Sequence, residues 1–134
     1  MRLDIAGIAT LLVMGVMDAI WLVTMTPRLY RRQIPELLLG VPRWGPAVVF
    51  YLLYAAAVLL LVVRPAIEGD WSLPRTVATG ALLGLAAYGT YDLTNQATLR
   101  GWSTLVTIVD MAWGASLTAT VATAATLIAR RLGS

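Results

Sequence analysis

Residues 3–26 read LDIAGIATLLVMGVMDAIWLVTMT, and this stretch decides the fold. At a helical rise of 1.5 Å per residue it covers about 36 Å, more than the ~30 Å hydrocarbon core of a bilayer. Asp4 and Asp18 are its only charged residues. Arg2 could head a signal peptide, but no small-x-small cleavage pattern follows and the apolar run continues through Trp21 to Met25, so it reads as a retained first span.

Three more stretches are long enough to span: Gly45 to Val63, Thr76 to Leu99 and Ser103 to Ala129. The punctuation agrees. Pro27 is expected to end the first, Pro46 opens the second, Arg64-Pro65 is expected to close it, and Arg100-Gly101 makes a tight turn between the last two. The 134 residues are 59% hydrophobic and 13% charged, well below the quarter usual in soluble domains. The expected fold is therefore an all-α integral membrane protein. Four transmembrane helices form an antiparallel bundle, a single domain over residues 1–134, with both termini on one side.

The first connection, RLYRRQIPELLLG from Arg28 to Gly40, sets arginines beside Leu37, Leu38 and Leu39. This predicts a short interfacial segment after the first helix, with arginines toward lipid phosphates and leucines toward acyl chains. Tyr30, Trp44, Trp71 and Trp102 fall at predicted helix ends, where an aromatic belt anchors a membrane protein. The ten arginines divide equally between the two sides, so positive charge does not set the orientation. The second helix, with Tyr51 and Tyr54 as its polar side chains, reads as lipid-facing scaffold. Gly80, Gly84 and Ala87 on the third, and Gly114, Ala115, Ser116 and Ala119 on the fourth, permit close helix approach.

Cysteine and histidine are both absent. Thiol nucleophiles, disulfides, bis-histidine haem and nitrogen–sulfur zinc sites are thereby removed, and no cofactor or metal site is expected. The net charge of +3 fits anionic lipid headgroups, and no basic stripe points to nucleic acid.

Asp18, Asp92 and Asp110 interrupt the apolar spans. A charged aspartate at mid-bilayer costs about 3 kcal/mol on the mildest scale, so three of them call for partners or a use. Asp18 lies about 22 Å from the terminal side, Asp92 about 24 Å from it, and Asp110 about 10 Å below the opposite face. All three share one layer. On the third helix Tyr88, Asp92, Asn95, Gln96 and Leu99 recur at helical spacing, and on the fourth Ser103, Thr107, Asp110 and Trp113 do the same. Asp18-x-x-Trp21 and Asp110-x-x-Trp113 each set an indole one turn from a carboxylate, where its N–H can donate. The candidate site is Asp18, Trp21, Tyr88, Asp92, Asn95, Thr107, Asp110 and Trp113. The plainer alternative is a hydrogen-bonded plug that holds the helices together.

MDAIWL (Met17 to Leu22), FYLLYA (Phe50 to Ala55), YGTYDLTNQATLRGWS (Tyr88 to Ser103) and VDMAWG (Val109 to Gly114) carry a further signal. In order and spacing they resemble a bacterial family of predicted membrane proteins, domain-of-unknown-function family 2177. The resemblance covers nearly the whole chain, with YDLTNQATLRGW its most specific part. It implies a four-helix, multi-pass protein of the inner (cytoplasmic) membrane and brings no biochemical activity. The family's recurrent positions correspond to Asp18, Trp21, Tyr91, Asp92, Thr94, Asn95, Thr98, Gly101, Trp102, Asp110, Trp113 and Gly114.

Three functions fit these residues. Carboxylates flanked by tryptophan and tyrosine suit binding or transport of a proton, a cation or a small polar solute, with a small cationic ligand favoured by charge and cation–π contact. Four helices seldom enclose a translocation path alone, so this reading expects a homodimer. Paired carboxylates also suit acid–base chemistry on a lipid or isoprenoid, which needs neither metal nor thiol. The third possibility is a structural or accessory subunit whose polar layer fixes helix register.

Overall fold

The computed structural model describes residues 2–133. Helix α1 (Arg2–Met25) continues through one wide π-type turn (Thr26–Tyr30) into a final turn, α2 (Arg31–Gln33). After a 3-10 turn at Pro35–Leu37 the chain is irregular up to α3 (Trp44–Val58). A second π-type turn (Leu59–Val63) carries α3 into α4 (Arg64–Glu68). Then come α5 (Leu73–Thr98) and α6 (Thr104–Leu132).

Two expected stops are therefore not stops. Neither Pro27 nor Pro65 ends its helix, and the continuous helical stretches run Arg2–Gln33 and Trp44–Glu68. Proline lacks an N–H and crowds the carbonyl four residues back, which an ordinary α-turn tolerates poorly. Widening the turn relieves that conflict, a device common in membrane helices. At both π-type turns the amide of the following residue reaches five residues back, from Arg31 to Thr26 and from Arg64 to Leu59.

The bundle runs up and down as expected. At one end Ser103 donates to Gln33 at 2.8 Å, joining the first connection to the α5–α6 turn. Gly101 adopts a positive φ of 75° in that turn, a conformation glycine takes without strain. At the other end Arg130 of α6 donates to the carbonyls of Ala66 and Trp71 at 3.0 and 2.8 Å, so α6 closes on the α4–α5 connection. Ser72 and Ser103 cap the N-termini of α5 and α6 by accepting from backbone N–H groups.

Helices α5 and α6 lie closest together, and small residues permit it. A Cβ on Gly84 would stand 2.0 Å from the Gly114 carbonyl oxygen, and one on Gly80 2.9 Å from Ala119 Cα. Helix α3 packs through its second half, where Tyr54 hydrogen-bonds Thr118 at 2.6 Å and Tyr51 donates to the Leu11 carbonyl. Its first half, residues 44–50, is exposed throughout and leaves room beside α1. Leu37, Leu38, Leu39 and Val41 of the first connection are likewise exposed, on a stretch that loses helical form after Leu37. The helices Arg2–Gln33, Trp44–Glu68 and Thr104–Leu132 are long and apolar enough to cross a membrane. Helix α5 has the length, at 26 residues, but a more polar surface.

Candidate functional site

The polar layer forms where α1, α5 and α6 meet. Asp92 of α5 is completely buried, and Asp110 of α6 is 7% exposed. Their carboxyl groups face each other. Apart from that neighbour, neither Asp92 oxygen has a hydrogen-bond partner. Two ionised carboxylates are both acceptors, so the pair has no donor of its own unless one of them carries a proton. Thr107 does not serve the carboxyl. It accepts from the Trp102 indole at 3.0 Å and leans on the Asp92 main-chain carbonyl at 3.5 Å, fixing the backbone instead.

Asp110 has a second partner that spacing alone did not assign. The Tyr30 hydroxyl donates to Asp110 Oδ1 and accepts from the Trp21 indole N–H at 2.9 Å. Tyr30 was expected to anchor at the membrane surface, but its ring turns inward. The cause is the π-type turn. Nine ordinary helical steps of about 100° would set Trp21 and Tyr30 on opposite faces, and the wider turn over Thr26–Tyr30 under-rotates the chain and returns the hydroxyl to the site.

Asp18 sits one step deeper. It faces the Trp113 indole, which lies one turn beyond Asp110 on α6. The Trp113 N–H is buried and makes no hydrogen bond. Trp21 and Trp113 stack face to face, with centroids 4.3 Å apart and planes 8° from parallel. The shared layer is thus two levels about one helical turn (~5 Å) apart, with Asp92, Asp110 and Tyr30 above and Asp18 with Trp113 below. Tyr88 stands within electrostatic reach of all three carboxylates. It fits because α6 carries glycine opposite, where a Cβ on Gly114 would fall 2.3 Å from Tyr88 Cγ.

These side chains enclose a cavity of about 350 Å³, a size that suits a small ligand. Asp18, Trp21, Tyr88, Asp110 and Trp113 line it, together with Tyr30. Leu22, Phe50 and Tyr91, which are exposed, form its outer rim between α1, α3 and α5. The opening is therefore lateral, beneath the free half of α3. Asp92 stands behind Asp110, and Asn95 lies beside Tyr91 and lines neither this cavity nor its neighbour. Among the described residues no three acidic groups are placed to hold a metal ion. The arrangement can hold a positive charge between carboxylates and ring faces, and can pass a proton along Asp92, Asp110 and Tyr30.

No curated protein and no solved structure matches the chain. The family model described as "Predicted membrane protein (DUF2177)" matches residues 4–127, and the chain belongs to that family of membrane proteins.

Proposed function

We propose that this protein spans the membrane four times and binds an organic cation with an apolar body in the cavity between α1, α3 and α5. That α5 is the fourth span is supported by its 26-residue length and by its close packing on α6, with Asp92 buried. The observation that carries the binding reading is the cavity itself. Two carboxylates, Asp18 and Asp110, share one chamber with the aromatic side chains of Trp21, Tyr88 and Trp113. Carboxylate and aromatic face both attract a cation, and the desolvated setting strengthens both. The open side toward α3 suits a ligand that arrives from the lipid phase.

Titration of purified protein with dodecylammonium tests this, read by the fluorescence of the stacked Trp21–Trp113 pair. Saturable quenching is expected, and Asp18→Asn or Asp110→Asn weakens the affinity about tenfold by loss of a charged partner. Unchanged affinity in both variants overturns the reading. A lipid-acting enzyme is the second reading, favoured by the facing carboxyl groups of Asp92 and Asp110. Its signature is chemical change in the bound lipid, which simple binding does not produce.

A further inference from the structure

A second cavity of about 340 Å³ adjoins the first and shares Leu22, Tyr30, Tyr91 and Asp110 with it. It extends under the first connection, where Ile34, Leu38 and Val106 give it apolar walls and Arg31 adds a positive charge. Arg31 directly follows Tyr30, so the same π-type turn that sends the Tyr30 hydroxyl to Asp110 places Arg31 on this second chamber. No carboxylate lies within ion-pair distance of Arg31 among the described residues. The two adjoining chambers therefore offer an unpaired guanidinium at Arg31 and the carboxyl groups of Asp110, on their shared wall, and of Asp18 in the first.

We propose that the ligand is a zwitterionic phospholipid carrying a primary ammonium, of the phosphatidylethanolamine type. This rests on the cation reading above and specifies it. The ammonium goes to Asp110 and Asp18, and the phosphate goes to Arg31. The acyl chains leave past Leu22 and Phe50 into the bilayer. The charge pattern of the space carries the argument. A simple amine leaves Arg31 unmatched, and an anionic lipid sets negative charge against Asp110. A headgroup with both charges satisfies both walls, and arginine is well suited to phosphate. The exposed leucines of the first connection place this chamber at headgroup depth.

The test is native mass spectrometry of the detergent-purified protein with three added probes: dioleoylphosphatidylethanolamine, dioleoylphosphatidylglycerol and dodecylammonium. Phosphatidylethanolamine is expected to bind at least tenfold more tightly than phosphatidylglycerol. Arg31→Gln should weaken phosphatidylethanolamine about fivefold and leave dodecylammonium unchanged, with Arg31→Lys restoring part of the loss. Asp110→Asn should weaken phosphatidylethanolamine and dodecylammonium about tenfold and spare phosphatidylglycerol. If phosphatidylglycerol binds as well as phosphatidylethanolamine, or Arg31→Gln affects both amines equally, the zwitterion proposal falls while the cation site stands. If Asp110→Asn and Asp18→Asn leave dodecylammonium binding intact, the cation site itself falls.

Discussion

The hydroxyl of Tyr30 donates to the carboxylate of Asp110, a contact between residues 80 positions apart that ties the first helix to the last inside the apolar layer. The same hydroxyl accepts from Trp21, so one phenol links an indole donor to a carboxylate acceptor. Removing it leaves one group without a donor and another without an acceptor.

Tyr30→Phe should therefore lower stability by about 1–3 kcal/mol, because the buried Asp110 and the half-buried Trp21 each lose a hydrogen bond. The thermal midpoint in detergent checks this. Tyr30→Phe and Asp110→Asn made together should cost less than the sum of the two, since they break the same contact. Strict additivity would mean that the bond contributes nothing to stability.

Asp92 gives the opposite expectation. Its oxygens face another acceptor and no donor. Asp92→Asn brings an amide N–H₂ to the Asp110 carboxylate and completes that contact without a shared proton. The variant should melt within about 1 kcal/mol of the parent, or above it. Asp92→Ala, which leaves a void and no donor, should lose about 1–3 kcal/mol. A loss of ligand binding in a fully stable Asp92→Asn protein would place the carboxyl in function and not in packing.

Much of this was legible in the sequence, and the residues show why. The shared depth of Asp92 and Asp110 follows from counting residues along straight helices, which holds because no turn wider than an α-turn intervenes between Leu73 and Thr98 or beyond Thr104. The glycines of α5 and α6 marked the closest helix pair for the same reason. Tyr30 escaped because Pro27 reads as a stop, and a π-type turn changes which face a residue takes without leaving a mark in hydropathy. Thr107 lay on the expected face, yet its hydroxyl found the Asp92 main chain, a choice between neighbouring acceptors that spacing cannot make. The lateral opening was equally hidden. It depends on the first half of α3 standing free, and its apolar residues look alike whether they meet protein or lipid.

Gly114→Ala tests how far the site depends on close approach. The new Cβ would fall 2.3 Å from Tyr88 Cγ and 2.4 Å from Cδ1, so the ring or the helix must move. A destabilisation of about 1–3 kcal/mol is expected from such overpacking. Because Tyr88 lines the cavity, dodecylammonium affinity should fall with it. Tyr88→Leu in the same background should recover stability but not affinity, separating the steric cost from the ring's contact with ligand.

At the far end of the bundle Arg130 offers a control, well away from the acidic layer. Its guanidinium donates to the carbonyls of Ala66 and Trp71, and Asp70 stands 3.8 Å away but is almost wholly exposed. The exposed ion pair should contribute little, whereas both carbonyls lose the guanidinium donor when the side chain is shortened. Arg130→Gln is therefore expected to cost about 1–2 kcal/mol, while Asp70→Asn costs almost nothing. Hydrogen exchange should quicken at Gly69 and Trp71, whose amides bond to Pro65 and Ala66 in the turn that Arg130 holds. Dodecylammonium binding should be unchanged in both variants. A weakened affinity in Arg130→Gln would show that the cavity senses the closure of the opposite end, and the site could then no longer be treated as local to α1, α5 and the first turns of α6.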